Sequence, residues 1–240
     1  MHFAIIAAGE GTRLREEGIA LPKPLVPVDG VPMLGRLIDL FVRMDAESIS
    51  VICNESSPEV AEYLSARCCS VPGLRFIVQS TSSSMHSLAA LSQILPEGRF
   101  CLTTVDTIFQ ESSFRTYVHA CETGDADGLF VVTPYVDDEK PLWVEVDSDS
   151  GNTICGFYDQ ESDFSAHAQH LVSGGVYCLD TRTAMPVLQE CLKQGQSRMR
   201  NYQRALLAAG LQIKACIFPK VMDIDHAEDI RKAEKWLKEG

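Results

Sequence analysis

The sequence predicts an α/β fold: one domain on a mainly parallel central sheet, with a small β-rich insertion in its second half. Two patterns predict it. Through the first half, apolar runs of strand length alternate with stretches of helical periodicity, which implies right-handed crossovers between parallel neighbours. In the second half, short extended runs follow one another with turn residues between them, as hairpins do. At 240 residues the chain can bury one substantial core, and its 45% hydrophobic and 22% charged content is that of a water-soluble fold.

Phe3 to Ala8 is an apolar strand, followed by a long loop to Gly30 rich in glycine and proline. Pro32 to Met44 places Met33, Leu34, Leu37, Ile38, Leu40 and Phe41 at helical spacing, with the proline tolerated in a first turn. A strand over Ser48–Cys53, a helix over Pro58–Cys69, a strand over Leu74–Val78, a helix over Ser84–Leu95 and a strand over Arg99–Val105 complete the alternation. Gly128–Val136, Trp143–Val146 and Thr153–Tyr158 are the short extended runs, separated by turns such as Asp147-Ser-Asp-Ser-Gly151. A strand over Val172–Leu179, helices over Thr183–Leu192 and Arg198–Ala209, a strand over Leu211–Phe218 and an amphipathic helix over Ala227–Lys238 follow. The organisation expected is a single domain with residues 1–125, 126–222 and 223–240 as its successive parts.

Charge narrows the function. With 33 acidic against 21 basic residues, the net charge of −12 repels a nucleic-acid backbone, and no dense Lys/Arg run overrides it. Any phosphate chemistry needs a local cationic pocket. No apolar run reaches the roughly 18 residues of a membrane span, and the N-terminus lacks the charged region and cleavage pattern of a secretory signal. The nine cysteines form no CxxC pair, so reduced thiols packed as small hydrophobes are expected, with a cytoplasmic location.

The chemistry is concentrated in Ala7-Ala-Gly-Glu-Gly-Thr-Arg-Leu14 and Leu21-Pro-Lys-Pro-Leu25. Gly9 and Gly11, directly after the first strand, let backbone N–H groups approach an anion closely. Arg13 adds a forked donor for phosphate oxygens, and Lys23, held between prolines, can reach the same group. A dinucleotide fingerprint would need glycine where Leu14 stands, and a P-loop would need Lys-Ser/Thr after its second glycine.

From Ala7 to Met33, Ala-Ala-Gly-x-Gly-Thr-Arg-Leu followed by Pro-Lys-Pro-Leu-x-Pro-Val-x-Gly-x-Pro-Met resembles the N-terminal signature of the sugar-phosphate nucleotidyltransferase family. That resemblance implies a Rossmann-like three-layer α/β/α fold, an NTP bound with Mg²⁺, and release of pyrophosphate as a nucleoside monophosphate moves to a small phosphorylated acceptor. It implies nucleotide binding by Ala7, Ala8, Gly9, Gly11, Thr12, Arg13 and Lys23, with Arg13, Lys23 and Asp106 catalytic. Asp106 ends the strand Phe100-Cys-Leu-Thr-Thr-Val-Asp106, where the family's aspartate binds metal, although Val105 stands where its glycine usually is. Met222-Asp-Ile-Asp-His-Ala-Glu-Asp-Ile230 resembles the motif supplying the second metal carboxylate, from Asp223 or Asp225. Asp225-x-x-Glu228 also reads as a helix capping box.

Gln79-Ser-Thr-Ser-Ser-Ser-Met-His-Ser-Leu88 takes the place of the family's base-contacting loop and is similar to that of phosphocholine cytidylyltransferase-like members. Gln79 is expected to read the base edge, Ser84 to line the site or cap the following helix, and His86 to be packed. On the acceptor side, Ser173-Gly-Gly-Val-Tyr177 resembles a family strand whose glycine, Gly175, leaves room for the acceptor. Lys220 is a candidate for its phosphate, as are Arg198, Arg200 and Arg204, for which a solvated helical face is the plainer reading. A sugar 1-phosphate is the first acceptor implied, and an alcohol phosphate or phosphonate such as phosphocholine, with CTP as donor, the second. A catalytically silent nucleotide-binding homologue is the alternative of another class. Monomer and homo-oligomer stay open, and no acyltransferase repeat domain is expected after Gly240.

Overall fold

The computed structural model of the chain describes residues 1–161 and 170–239. The apolar run after Met1 forms β1 (His2–Ala7), and the loop that follows contains α1 (Thr12–Glu16), a 3₁₀ turn (Lys23–Leu25) and a small hairpin of β2 (Pro27–Val28) and β3 (Val31–Pro32). The alternating region gives α2 (Met33–Arg43), β4 (Ser48–Cys53), α3 (Pro58–Cys68), β5 (Leu74–Val78), α4 (Ser84–Leu91), β6 (Arg99–Thr104), β7 (Thr107–Ile108) and α5 (Glu111–Thr123). The second half gives β8 (Gly128–Thr133), β9 (Trp143–Asp147), β10 (Thr153–Tyr158), β11 (Leu171–Asp180), α6 (Thr181–Lys193), α7 (Met199–Ala208), β12 (Ile213–Ile217), β13 (Met222–Asp223) and α8 (Ala227–Glu239).

One nine-stranded sheet runs through both halves in the order β5-β4-β1-β6-β11-β8-β12-β10-β9. Its first four strands are parallel, but β11 and β10 run against their neighbours, so the sheet is mixed rather than mainly parallel. The reason is local. Among the described residues no helix lies between β8 and β10, and strands joined without a crossover pair antiparallel, as β9 and β10 do. The short runs expected as an insertion are therefore part of the main sheet. β9 also pairs with Leu171 and Val172 at the start of β11, so this half curls back on itself.

Alternation along β1 sends Phe3, Ile5 and Ala7 to one core and Ala4 and Ile6 to another. The first core takes the buried faces of α2, α3 and α5; Phe3 stacks on Phe41 with ring centroids 4.3 Å apart. The second takes α4, α6 and α7. Burying a ring such as Phe3 or Phe41 contributes about 1.5–3 kcal/mol, which holds α2 on the sheet and fixes where the loop before it must run. No helix among the described residues is long and apolar enough to cross a membrane. The cysteines are free thiols, with Cys53, Cys101, Cys121, Cys178 and Cys191 buried in the cores.

Topology locates the site. From β1 the chain moves outward to β4 and β5, then returns to lay β6 on the other side of β1. At this reversal the loops leaving β1 and β6 diverge, and a crevice opens at the carboxyl ends of the two strands.

Candidate active site

A cleft of about 500 Å³ fills that crevice, lined by the glycine loop, Lys23, the serine-rich loop before α4, Thr104 to Asp106 and Asp225. Gly11 holds a left-handed conformation (φ 62°), and a Cβ there would lie 2.7 Å from the Lys23 Cβ. The glycine thus serves the approach of Lys23 to the loop as well as the turn into α1. Gly9 meets nothing within 4 Å, leaving its side of the loop open to the cleft.

Lys23 is 8% exposed. The 3₁₀ turn, closed by Leu25 N–H donating to the Pro22 carbonyl at 2.8 Å, aims its side chain inward. Its ammonium donates to Asp106 Oδ2 at 2.5 Å and to Asp225 Oδ1 at 2.7 Å. Burial works to pull the Lys23 pKa down, but the two carboxylates outweigh it and hold the group above its ordinary value, so it is cationic at any physiological pH. Asp106 answers: burial pushes its carboxyl up, and the charge and hydrogen bond of Lys23, helped by the Thr104 hydroxyl, hold it below the usual carboxylate range.

Asp225 also receives Arg13 Nη1 at 3.1 Å. It does not cap α8. Asp229 reaches back to accept from the Asp225 and His226 N–H groups at 3.1 and 2.8 Å, and Glu17 accepts from the Ala227 N–H at 2.6 Å. Asp225 is therefore free to face Lys23, and the capping box expected from Asp225-x-x-Glu228 is replaced by these two acids. Glu17 also lies 2.5 Å from His226 Nδ1, which ties the end of α1 to the start of α8 and so joins two motifs more than 200 residues apart.

Asp223 comes to the same place through β13, which pairs with β7 so that Asp223 lies opposite Thr107, next to Asp106. It opens onto a second cleft. Its outer edge meets solvent, but the protein packed around it first, then the charges of Asp106 and Asp225, push its carboxyl up to about 7, with Lys23 opposing the shift. It has no ion-pair partner among the described residues, whereas Asp106 and Asp225 share Lys23. Among those residues no group of three or more His, Cys, Asp or Glu side chains forms a ready metal cage.

The second cleft, of about 250 Å³, shares Arg13 and Asp225 with the first. Asp137, Asp138, Glu139, Asp223, Glu228 and Asp229 line it, against Arg13, Lys232 and His226. Gly174 lines it while Gly175, with φ 70°, packs toward Thr107 instead. Lys220 is not among the residues lining either cleft; its ammonium lies over the Tyr135 ring at 4.3 Å and the Trp236 ring at 5.0 Å. Arg200 and Arg204 pair with Asp159.

Ala8, Gly9, Gly11, Thr12, Arg13, Lys23, Ser84, Asp106 and Asp225 are thus brought together. Ala7 is buried at the end of β1, and Gln79 lies outside the large cleft in a shallow depression beside His86. Ser83, not Ser84, caps α4 by accepting from the His86 N–H at 3.3 Å. The sequence reading missed Asn54, buried just past β4. Its amide donates to the Ala8 carbonyl at 3.0 Å and accepts from Ser56 N–H and the Ser80 hydroxyl, joining the glycine loop to the serine loop.

The chain is similar to several known proteins. Bifunctional protein GlmU of Pseudomonas paraeruginosa (strain DSM 24068 / PA7) is 35% identical over 96 residues, 40% of this chain and 19% of that protein. The GlmU of Cellvibrio japonicus (strain Ueda107) is 30% identical over 99 residues, 41% of this chain and 20% of its own length. The matched stretch is thus about a fifth of these curated relatives. Two solved structures share the fold across the whole chain. A putative glucose-1-phosphate thymidylyltransferase from Bacillus anthracis superposes with TM-score 0.83 at 16% identity, covering 100% of this chain and 96% of its own. The inositol-1-phosphate CTP transferase from T. maritima does so with TM-score 0.75 at 18% identity and the same coverage. The profile of the family described as MobA-like NTP transferase domain matches residues 3–210, and the chain belongs to that family.

Proposed function

We propose that the protein is a divalent-cation-dependent nucleotidyltransferase that joins the nucleoside monophosphate of an NTP to a small phosphorylated acceptor and releases pyrophosphate. The observation that carries this reading is a buried lysine held by two aspartates beneath a glycine loop, at the point where the sheet reverses.

An acceptor phosphate oxygen attacks the α-phosphorus in line; a new P–O bond forms there, and the bond to the β-phosphate oxygen breaks. The nucleophile is already an anion, so no side chain need take a proton. What remains is positioning and charge stabilisation. The loop from Ala8 to Thr12 offers backbone N–H groups to the polyphosphate, Arg13 sits where the two clefts meet, and Lys23 supplies a positive charge that persists at physiological pH. The hydroxyls of Thr81, Ser82, Ser84 and Ser87 line the far end of the large cleft, where the base and sugar would lie.

The donor set fits a hard cation. Three carboxylates, Asp106, Asp223 and Asp225, converge near one lysine, and one of them lacks a compensating charge. Mg²⁺ characteristically takes one or two such oxygens and completes its shell with substrate phosphates, so no full protein cage is needed. When bound there it would neutralise charge on the phosphates; Asp106 with Asp223 or Asp225 would hold it.

A sugar 1-phosphate is the acceptor we favour on family grounds. One observation supports the second reading, an amine-bearing alcohol phosphate: the charged residues on the walls of the adjoining cleft are mostly acidic, which suits a cationic head group. A screen of four NTPs against sugar phosphates, phosphoethanolamine and phosphocholine, with pyrophosphate release as readout, tests both. Release with one NTP–acceptor pair is expected; release with none would defeat the proposal.

A further inference from the structure

The lysine that serves the phosphates also sits where the metal must go. Lys23 Nζ lies between Asp106 Oδ2 at 2.5 Å and Asp225 Oδ1 at 2.7 Å, on one oxygen of each of two carboxylates that could hold a divalent cation. It is the best-placed cation in the cluster: of the two aspartates Arg13 reaches only Asp225, and it is half exposed and shared with Glu139. Both Lys23 and Asp106 are largely withdrawn from water, so neither ion is readily replaced by solvent.

We propose that Lys23 is an internal counter-cation that competes with the metal, so that metal and nucleotide polyphosphate enter the site together rather than metal first. The inference rests on the nucleotidyltransferase reading above. Its argument is one of exchange. Mg²⁺ or Mn²⁺ taking Asp106 Oδ2 and Asp225 Oδ1 would have to displace the ammonium, and an ammonium released into a buried site with no new anion is unfavourable. A polyphosphate arriving in the large cleft provides that anion within reach of the same flexible side chain. Lys23 then moves from carboxylate to phosphate, and the metal takes the oxygens it vacates. Each ligand removes the other's penalty, and the coupling is reciprocal by linkage. Gly11 allows the movement, since the Lys23 stem runs against the very loop that would cradle the phosphates. Asp223, uncompensated beside the pair, adds to the pull on an entering cation.

The test is metal binding by nucleotide-free protein, with Mn²⁺ as probe, followed by calorimetry and by the rise in melting temperature it causes. Wild type should bind Mn²⁺ weakly by itself. Lys23→Met keeps the length of the side chain and removes its charge; it should bind Mn²⁺ at least tenfold more tightly and gain more thermal stability from it than wild type does. Lys23→Gln should do the same and stands in should the methionine variant fold poorly. Asp106→Asn introduced together with Lys23→Met should abolish the gain. If both folded Lys23 variants bind Mn²⁺ no more tightly than wild type, the competition does not exist. Because no nucleotide, acceptor or turnover enters the measurement, absence of transferase activity in wild type would defeat the functional reading and leave this result standing.

Discussion

The two clefts meet at Arg13 and Asp225, yet they are built from different materials. The large one is walled by backbone amides, small hydroxyls and one buried lysine, on loops leaving parallel strands. The smaller one is walled by charged side chains from the segment after β8, from β13 and from the start of α8. A polyphosphate has one shape and one charge pattern, so the wall that holds it is constrained residue by residue. An acceptor pocket is bound only by the chemistry of one substrate, and its residues carry no general pattern. On the function proposed above, the large cleft is the donor side and the smaller one the acceptor side, and the difference explains why the first can be read from a sequence and the second cannot.

The sharpest way to break the comparison is at Lys23. Lys23→Ala should lower turnover by on the order of 10²-fold or more, as expected for loss of a transition-state charge partner, with NTP and acceptor sides affected alike. Steady-state kinetics on folded variant protein checks it; near-normal turnover would remove Lys23 from the chemistry.

Asp225 stands on the boundary between the clefts. Asp225→Ser should cost on the order of tenfold or more in activity, by analogy with loss of a group that supports a metal site, and little stability. Serine would replace a cap well, but Asp229 and Glu17 already satisfy the start of α8. Unchanged activity together with a lower melting temperature would reverse the assignment.

Gly11→Ala tests the donor wall alone. The left-handed backbone at this position and the 2.7 Å approach to Lys23 predict a loss of about 1–3 kcal/mol in stability, read by chemical denaturation. Nucleotide affinity should fall with it while acceptor KM holds. A change confined to the acceptor would mean that the loop serves the other cleft.

The smallest effect belongs to Asp223. Its folded pKa lies above its unfolded value, so the native state holds the proton more tightly and wild-type stability declines as pH rises from about 4 through about 7. Asp223→Asn should remove that decline and leave the variant relatively more stable at pH 8 than at pH 4. The group also faces open solvent, so screening keeps the difference small. Parallel melting curves across that range, without divalent metal, would show whether the two proteins diverge.

Most elements were legible because their periodicity is strong. β4, β5 and β10 begin and end where the apolar runs do. α5 was missed although Phe114, Tyr117, Val118 and Cys121 are all buried at helical spacing; the polar residues between them hid the stripe. The direction of β11 could not be read, since a strand's sequence does not encode which neighbour it pairs with. In the site, the glycine loop, Lys23, Asp106 and Asp225 were legible because they lie in contiguous motifs. Asn54, Glu17 and Asp229 act through partners distant in sequence or through backbone groups, and nothing local marks them. Lys220 shows the converse: a lysine near a phosphate-type motif whose charge is taken up by Tyr135 and Trp236.

The central claim is that Lys23, Asp106 and Asp225 form the centre of nucleotidyl transfer. It is tested most directly by ³¹P NMR of wild type and of Asp106→Asn, each with Mg²⁺, an NTP and a pool of phosphorylated acceptors. Wild type should give a new phosphoanhydride signal and pyrophosphate in equal amounts, and Asp106→Asn neither. Wild type that binds the nucleotide and yields no such product with any acceptor, or an Asp106→Asn protein that forms it at the wild-type rate, would contradict the account.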